Sequence, residues 1–155
     1  MQLKFRIILN VEENVFRDIV IDSNITLIEF SKIISSEFGF DSSEISTFHH
    51  SNENWEQLDE IKIFKIDELD QIMDNTPISN FFLSKGDKLI YIYDFLNYWT
   101  FFIELYELDE SVKIDSYKCI NSVGEVPKNP PSDIFDINSV KEDSDELDFD
   151  DTFID

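Results

Sequence analysis

A chain of 155 residues is about one domain's worth and is long enough to bury a full core. Its 34 acidic against 12 basic residues give a net charge of −22, a field that repels phosphate backbones and argues against direct DNA or RNA binding. Hydrophobic residues at 42%, 15 of them Phe, exclude a wholly disordered chain, and no apolar run reaches the roughly 18 residues that span a bilayer.

The first ten residues alternate in polarity and lack the long apolar stretch of a signal peptide. LKFRIIL (3–9) and VFRDIVI (15–21), rich in Ile, Val and Phe, read as an opening hairpin joined through Val11 to Asn14. Thr26 and Glu29 then match a capping box. Leu27, Phe30, Ile34 and Phe38 recur at helical spacing, and Gly39 marks the stop, so a helix is predicted over 26–38. ISTFHH (45–50) and IKIFKI (61–66) read as strands. DELDQIMDN (67–75) predicts one or two helical turns with Leu69, Ile72 and Met73 inward, ended by Thr76-Pro77. Another short turn is expected over 78–83, and SKGDK (84–88) is a turn signal.

The strongest sheet signal follows, in KLIYIYDF and YWTFFIELYEL. A two-residue loop at Leu96-Asn97 would pair Asp94 with Trp99, Ile92 with Phe101 and Ile90 with Ile103, and would set Glu104 opposite Leu89. Both faces of this hairpin are apolar or aromatic, so it is expected to be buried on both sides or covered by a partner. IDSYKCI (114–120) reads as a last strand, and the proline-bearing run 122–132 as irregular. From Asp133 the composition turns acidic: residues 133–155 hold 10 acidic residues and one lysine, −9 of the total −22, leaving −13 on the preceding 132. The expected organisation is a domain over 1–132 and an acidic, disordered tail over 133–155.

Little of this points to catalysis. There is no Gly-x-Ser-x-Gly elbow and no glycine-rich phosphate loop. His49 and His50 are neighbours on a strand and point to opposite faces, and one cysteine, Cys119, all but excludes a Cys/His zinc site and an internal disulfide. No cofactor and no metal are expected, and a single thiol fits the reducing cytoplasm. Tyr91, Tyr93 and Trp99 are candidate binding aromatics, weighed against plain core packing. Asp94 is either a carboxylate in an aromatic pocket or an acceptor for turn amides. In the tail, Phe149 and Phe153 stand among aspartates, as in a short segment that folds on a basic-rimmed partner groove.

Three stretches taken together, FGFDSSEISTFHHSNENW, KGDKLIYIYDFLNYWTFFIELYEL and YKCINSVGEVPKNPP, resemble the plasmid open-reading-frame-three family over about residues 2–131. The likeness is greatest to its Bacteroidetes-type subgroup, and the family also carries the labels insertion-sequence passenger and TnpR-like. The resemblance implies an α+β domain: a curved, mostly antiparallel sheet packed against one main helix and short helices. It implies no established activity. Tyr93, Asp94, Phe95 and Trp99 match the family hairpin, whereas Leu96 and Asn97 stand where Gly and Asp are usual. Glu44 occupies the place of a frequent histidine, and Phe40 that of a tryptophan. The leading expectation is a non-catalytic cytoplasmic interaction module with a basic protein partner, linked to mobile elements. The alternatives are an acidic nucleic-acid-mimic decoy and a hydrolase-type enzyme built on Asp94.

Overall fold

The alternation in QLKFRIIL places Leu3, Phe5, Ile7 and Leu9 on one side of a strand, and all four are buried. A computed structural model of the chain describes residues 1–130. The strands are β1 Gln2–Leu9, β2 Phe16–Asp22, β3 Ser46–His50, β4 Glu60–Lys62, β5 Lys88–Tyr93, β6 Trp99–Asp109 and β7 Lys118–Val123. They form one seven-stranded sheet in the order β4-β3-β5-β6-β1-β2-β7, antiparallel at every pair.

One helix, α1 Leu27–Glu37, follows the opening hairpin. Its start is the predicted capping box: the Glu29 amide donates to Thr26 Oγ1 at 3.2 Å, and the Thr26 amide donates to Glu29 Oε1 at 2.9 Å. Gly39, at φ +83°, takes the left-handed position just past its end, where a side chain would be strained. Phe30 from α1 lies 5.0 Å from the Phe5 ring and 6.0 Å from the Phe48 ring, so one face of the helix seals one face of the sheet. A 3-10 turn, Ile78–Asn80, lies just before Phe82, whose ring sits 4.7 Å from Phe5 on that same face. Arg17 joins three elements: it donates to the carbonyls of Glu37, Phe16 and Val123, and its guanidinium lies 4.9 Å over Phe38.

The α+β expectation, with a main helix and further short helices on a curved sheet, is overturned. The described chain is dominated by its antiparallel sheet and holds one 11-residue helix and one three-residue 3-10 turn. The physical reason lies in residues 67–75. There the Asp70 carboxylate accepts the amides of Ile66 and Asp67, each at 2.9 Å, and pairs with Lys62 at 3.4 Å. A carboxylate that gathers amides of residues preceding it holds a turn and competes with helix. Leu69, expected inward, is 89% exposed, and Ile72 and Met73 are exposed too.

The central hairpin also departs from expectation, by one residue. Tyr93 pairs with Trp99, Tyr91 with Phe101, Leu89 with Ile103 and Lys88 with Glu104. The loop is therefore 94–98, five residues long rather than two. Asp94 and Tyr98 both take positive φ (66° and 57°), and the Tyr98 and Asn97 amides donate to the Asp94 carbonyl. A one-residue slip exchanges which residues share a face. Here it sets Tyr91 and Phe101 together in the core, with ring centroids 5.6 Å apart, and brings the Lys88 ammonium to 3.9 Å from Glu104. The last strand runs four to three residues later than predicted, at Lys118–Val123. The acidic stretch 133–155 lies outside the described residues.

Candidate functional site

Strand β5 connects two regions of contrasting chemistry. At its Tyr93 end the aromatics are enclosed. Tyr91 is 1% exposed, with its hydroxyl 3.1 Å from Ser35 Oγ, and burial pushes its phenol up from the ordinary value. The Tyr93 hydroxyl donates to the Asp41 carbonyl and to Asp41 Oδ1, the latter at 3.1 Å. Burial first, and then the Asp41 carboxylate, hold the Tyr93 phenol far above its usual range. Asp41 itself is held below the usual carboxylate range by the Ser43 hydroxyl and amide and by Tyr93. Trp99 is 5% exposed and its ring packs 5.0 Å from Phe40.

Asp94 closes the turn. Its carboxylate accepts the Leu96 amide at 3.1 Å and the Asn97 side-chain amide at 2.6 Å. Tyr91, Tyr93, Asp94 and Trp99 thus converge on one hairpin, where Tyr91, Tyr93 and Asp94 each have a hydrogen-bond partner within the chain. What they carry outward is the loop, where Phe95, Leu96 and Tyr98 are exposed. Phe149 and Phe153 lie outside the described residues.

At its Lys88 end β5 borders a cavity of about 750 Å³. One wall is the end of β3 and the loop after it, from His50 through Ser51 and Asn52 to Glu53; the other is Phe81 and the turn from Lys85 to Lys88. The His50 and Phe81 rings lie 6.0 Å apart. Two of the four charges here are already engaged. The Asp87 carboxylate accepts the amides of Leu83 and Ser84 at 2.8 and 3.0 Å. The Lys88 ammonium donates to the Gly86 carbonyl at 2.9 Å and lies 5.3 Å over the Trp55 ring. The other two, Lys85 and Glu53, form no ion pair among the described residues. Sequence reasoning marked 84–88 as a turn and took His49 and His50 apart, but did not bring the two segments together.

A third feature is the loop Ile66–Met73. Ile66 is 57% exposed and Leu69 89%, amid Asp67, Glu68, Asp70 and Asp74. No group of His, Cys, Asp and Glu among the described residues is arranged to hold a metal ion. No helix among them is long and apolar enough to cross a membrane.

With this geometry in hand, comparison with known proteins places the chain. A family model for plasmid pRiA4b ORF-3-like proteins matches residues 1–147. The chain belongs to that family. No curated protein matches it. Among solved structures it is similar to a protein of unknown function from Methanosarcina mazei Go1, with a TM-score of 0.61 and 19% identity over 78% of this chain and 69% of that one. At that identity the likeness speaks for a shared fold.

Proposed function

We propose that this pRiA4b ORF-3-like chain is a non-catalytic cytoplasmic interaction module that takes a basic protein partner. The observation that carries the reading is the Ile66–Met73 loop. Four apolar side chains, Ile66, Leu69, Ile72 and Met73, stand exposed there among three carboxylates, Asp67, Glu68 and Asp70, with Asp74 next in the chain. Contiguous exposed apolar surface on a soluble domain marks contact sites more often than accident. A net charge of −22 would speed encounter with a positively charged surface and discourage nucleic acid. The hairpin tip, with Leu96 89% exposed, supplies a second apolar anchor, held rigid by Tyr91, Tyr93, Asp94 and Trp99. Phe149 and Phe153 repeat the same pairing of apolar and acidic residues in sequence. We extend the proposal to a mobile-element context on the insertion-sequence passenger and TnpR-like resemblance, in its Bacteroidetes-type form, read from the sequence.

The test is capture from native lysate by the wild type and by a Leu69→Asp/Met73→Asp variant. The reading expects a basic protein that the wild type retains, that the variant releases, and that raised salt weakens. Identical capture by both forms at every salt concentration overturns it. The charge also favours a second reading, an acidic decoy for a nucleic-acid-binding protein. Duplex DNA should then compete for the captured partner at low salt, and absence of competition removes the decoy. The hydrolase reading is less favoured, because the Asp94 carboxylate accepts from the Leu96 amide and the Asn97 side chain, as a turn-holding group does.

A further inference from the structure

The cavity at the Lys88 end of β5 is set apart by its charges. The chain as a whole is at −22, yet the described lining brings two ammonium groups against two carboxylates. The inner members of each sign are fixed by the fold: Asp87 by loop amides, Lys88 by the Gly86 carbonyl. The outer members, Lys85 and Glu53, are exposed, of opposite sign, and come from two separate chain segments of the lining. Neither lies within 4.0 Å of an opposite charge among the described residues. The lining also holds the Phe81 ring, with the His50 ring 6.0 Å from it. A volume of about 750 Å³ falls within the roughly 300–1,000 Å³ of small-ligand sites.

We propose that this cavity binds a small zwitterion, an amino acid or short peptide, with its carboxylate at Lys85, its ammonium at Glu53 and its side chain against Phe81. A simple anion would meet Glu53 and Asp87, and a simple cation would meet Lys85 and Lys88. A ligand with both charges satisfies at once the two groups that form no ion pair among the described residues. The site is independent of the partner surface proposed above and uses none of its residues.

The experiment follows the backbone amides of Gly86, Phe81 and Asn52 by NMR in the full chain. The probes are L-phenylalanine, N-acetyl-L-phenylalanine and L-phenylalanine amide, which carry both charges, the negative one only and the positive one only. L-phenylalanine is expected to bind about tenfold more tightly than either blocked form. Lys85→Ala and Glu53→Ala should each weaken it about tenfold, and Lys113→Ala, an exposed lysine elsewhere, should not. The proposal is overturned by equal binding of a blocked form, by wild-type affinity in both cavity variants, or by unmoved amides at the solubility limit of L-phenylalanine. All three substituted side chains are exposed, so a folding defect does not confuse the outcome.

Discussion

At the Tyr93 end of β5, Tyr91, Tyr93 and Asp94 each have a polar partner within the chain; at the Lys88 end, Lys85 and Glu53 line a cavity and form no ion pair among the described residues. The two ends are the two termini of one six-residue strand. Their difference shows what aromatic crowding means here. The stretch YIYDFLNYW looks like a site because it is rich in aromatics, and those aromatics close on one another. The opposite end carries fewer rings and leaves charges open. In this fold the crowded end is where structure is secured, and the sparse end is where the proposed zwitterion would meet Lys85 and Glu53.

The widest contrast comes from truncating the enclosed end. Phe101 is 0% exposed and lies against Phe38 (4.8 Å), Tyr91 and Phe40. Phe101→Ala should cost about 3–5 kcal/mol in urea unfolding, through lost transfer energy and an unfilled cavity. A cost under about 1 kcal/mol would mean that the region collapses freely and is not a sealed core.

Next in size is the Tyr93 hydroxyl. Tyr93→Phe should cost about 1.5 kcal/mol at neutral pH by removing the buried donor to Asp41. It should also change the alkaline limb of stability. The folded-state phenol is raised, by burial and then by Asp41, so its contribution is complete below the unfolded value of about 10 and is lost as pH climbs beyond it. Melting temperature should therefore fall above about pH 10, and less steeply in Tyr93→Phe, with Tyr91 sustaining the remainder. Parallel alkaline limbs in the two proteins would contradict the assignment.

Asp94 gives a smaller and more selective effect. Replacement by Ala removes the acceptor for Leu96 and Asn97 and leaves a Cβ residue at φ +66°, a change worth about 1 kcal/mol. Asn keeps an acceptor and tolerates that backbone, so Asp94→Asn should stay within about 0.5 kcal/mol of wild type. If Asn proved as costly as Ala, the charge of Asp94 would matter for something other than the turn.

Much of this could be read from the residues alone, and the failures have physical causes. The capping box and the Leu27, Phe30, Ile34 spacing gave α1 to within a residue at each end. The opening hairpin was equally plain in its alternation. The central register was not, because the turn depends on left-handed backbone at Asp94 and Tyr98, positions with no glycine to announce it. Residues 67–75 misled because Leu69, Ile72 and Met73 keep helical spacing, whereas Asp70 draws the local amides into a turn. The family resemblance drew the same α+β picture, so it offered no correction. The cavity was out of reach for another reason: its lining comes from residues 50–53, Phe81 and residues 85–88, which only sheet pairing brings together.

The smallest stability effect is the one that best divides the two ends. Lys85 is exposed and forms no described ion pair, so Lys85→Ala should shift unfolding by less than about 0.5 kcal/mol. Glu53→Ala should behave alike, and the two together should add. Near-silence in stability is what separates an available charge from a structural one, since a group already compensated within the fold registers when it is removed. A departure from additivity above about 0.5 kcal/mol in the double variant would show that the pair is coupled across the cavity in solution. The Lys88 end would then be as closed as the hairpin, and the contrast between the two ends of β5 would disappear.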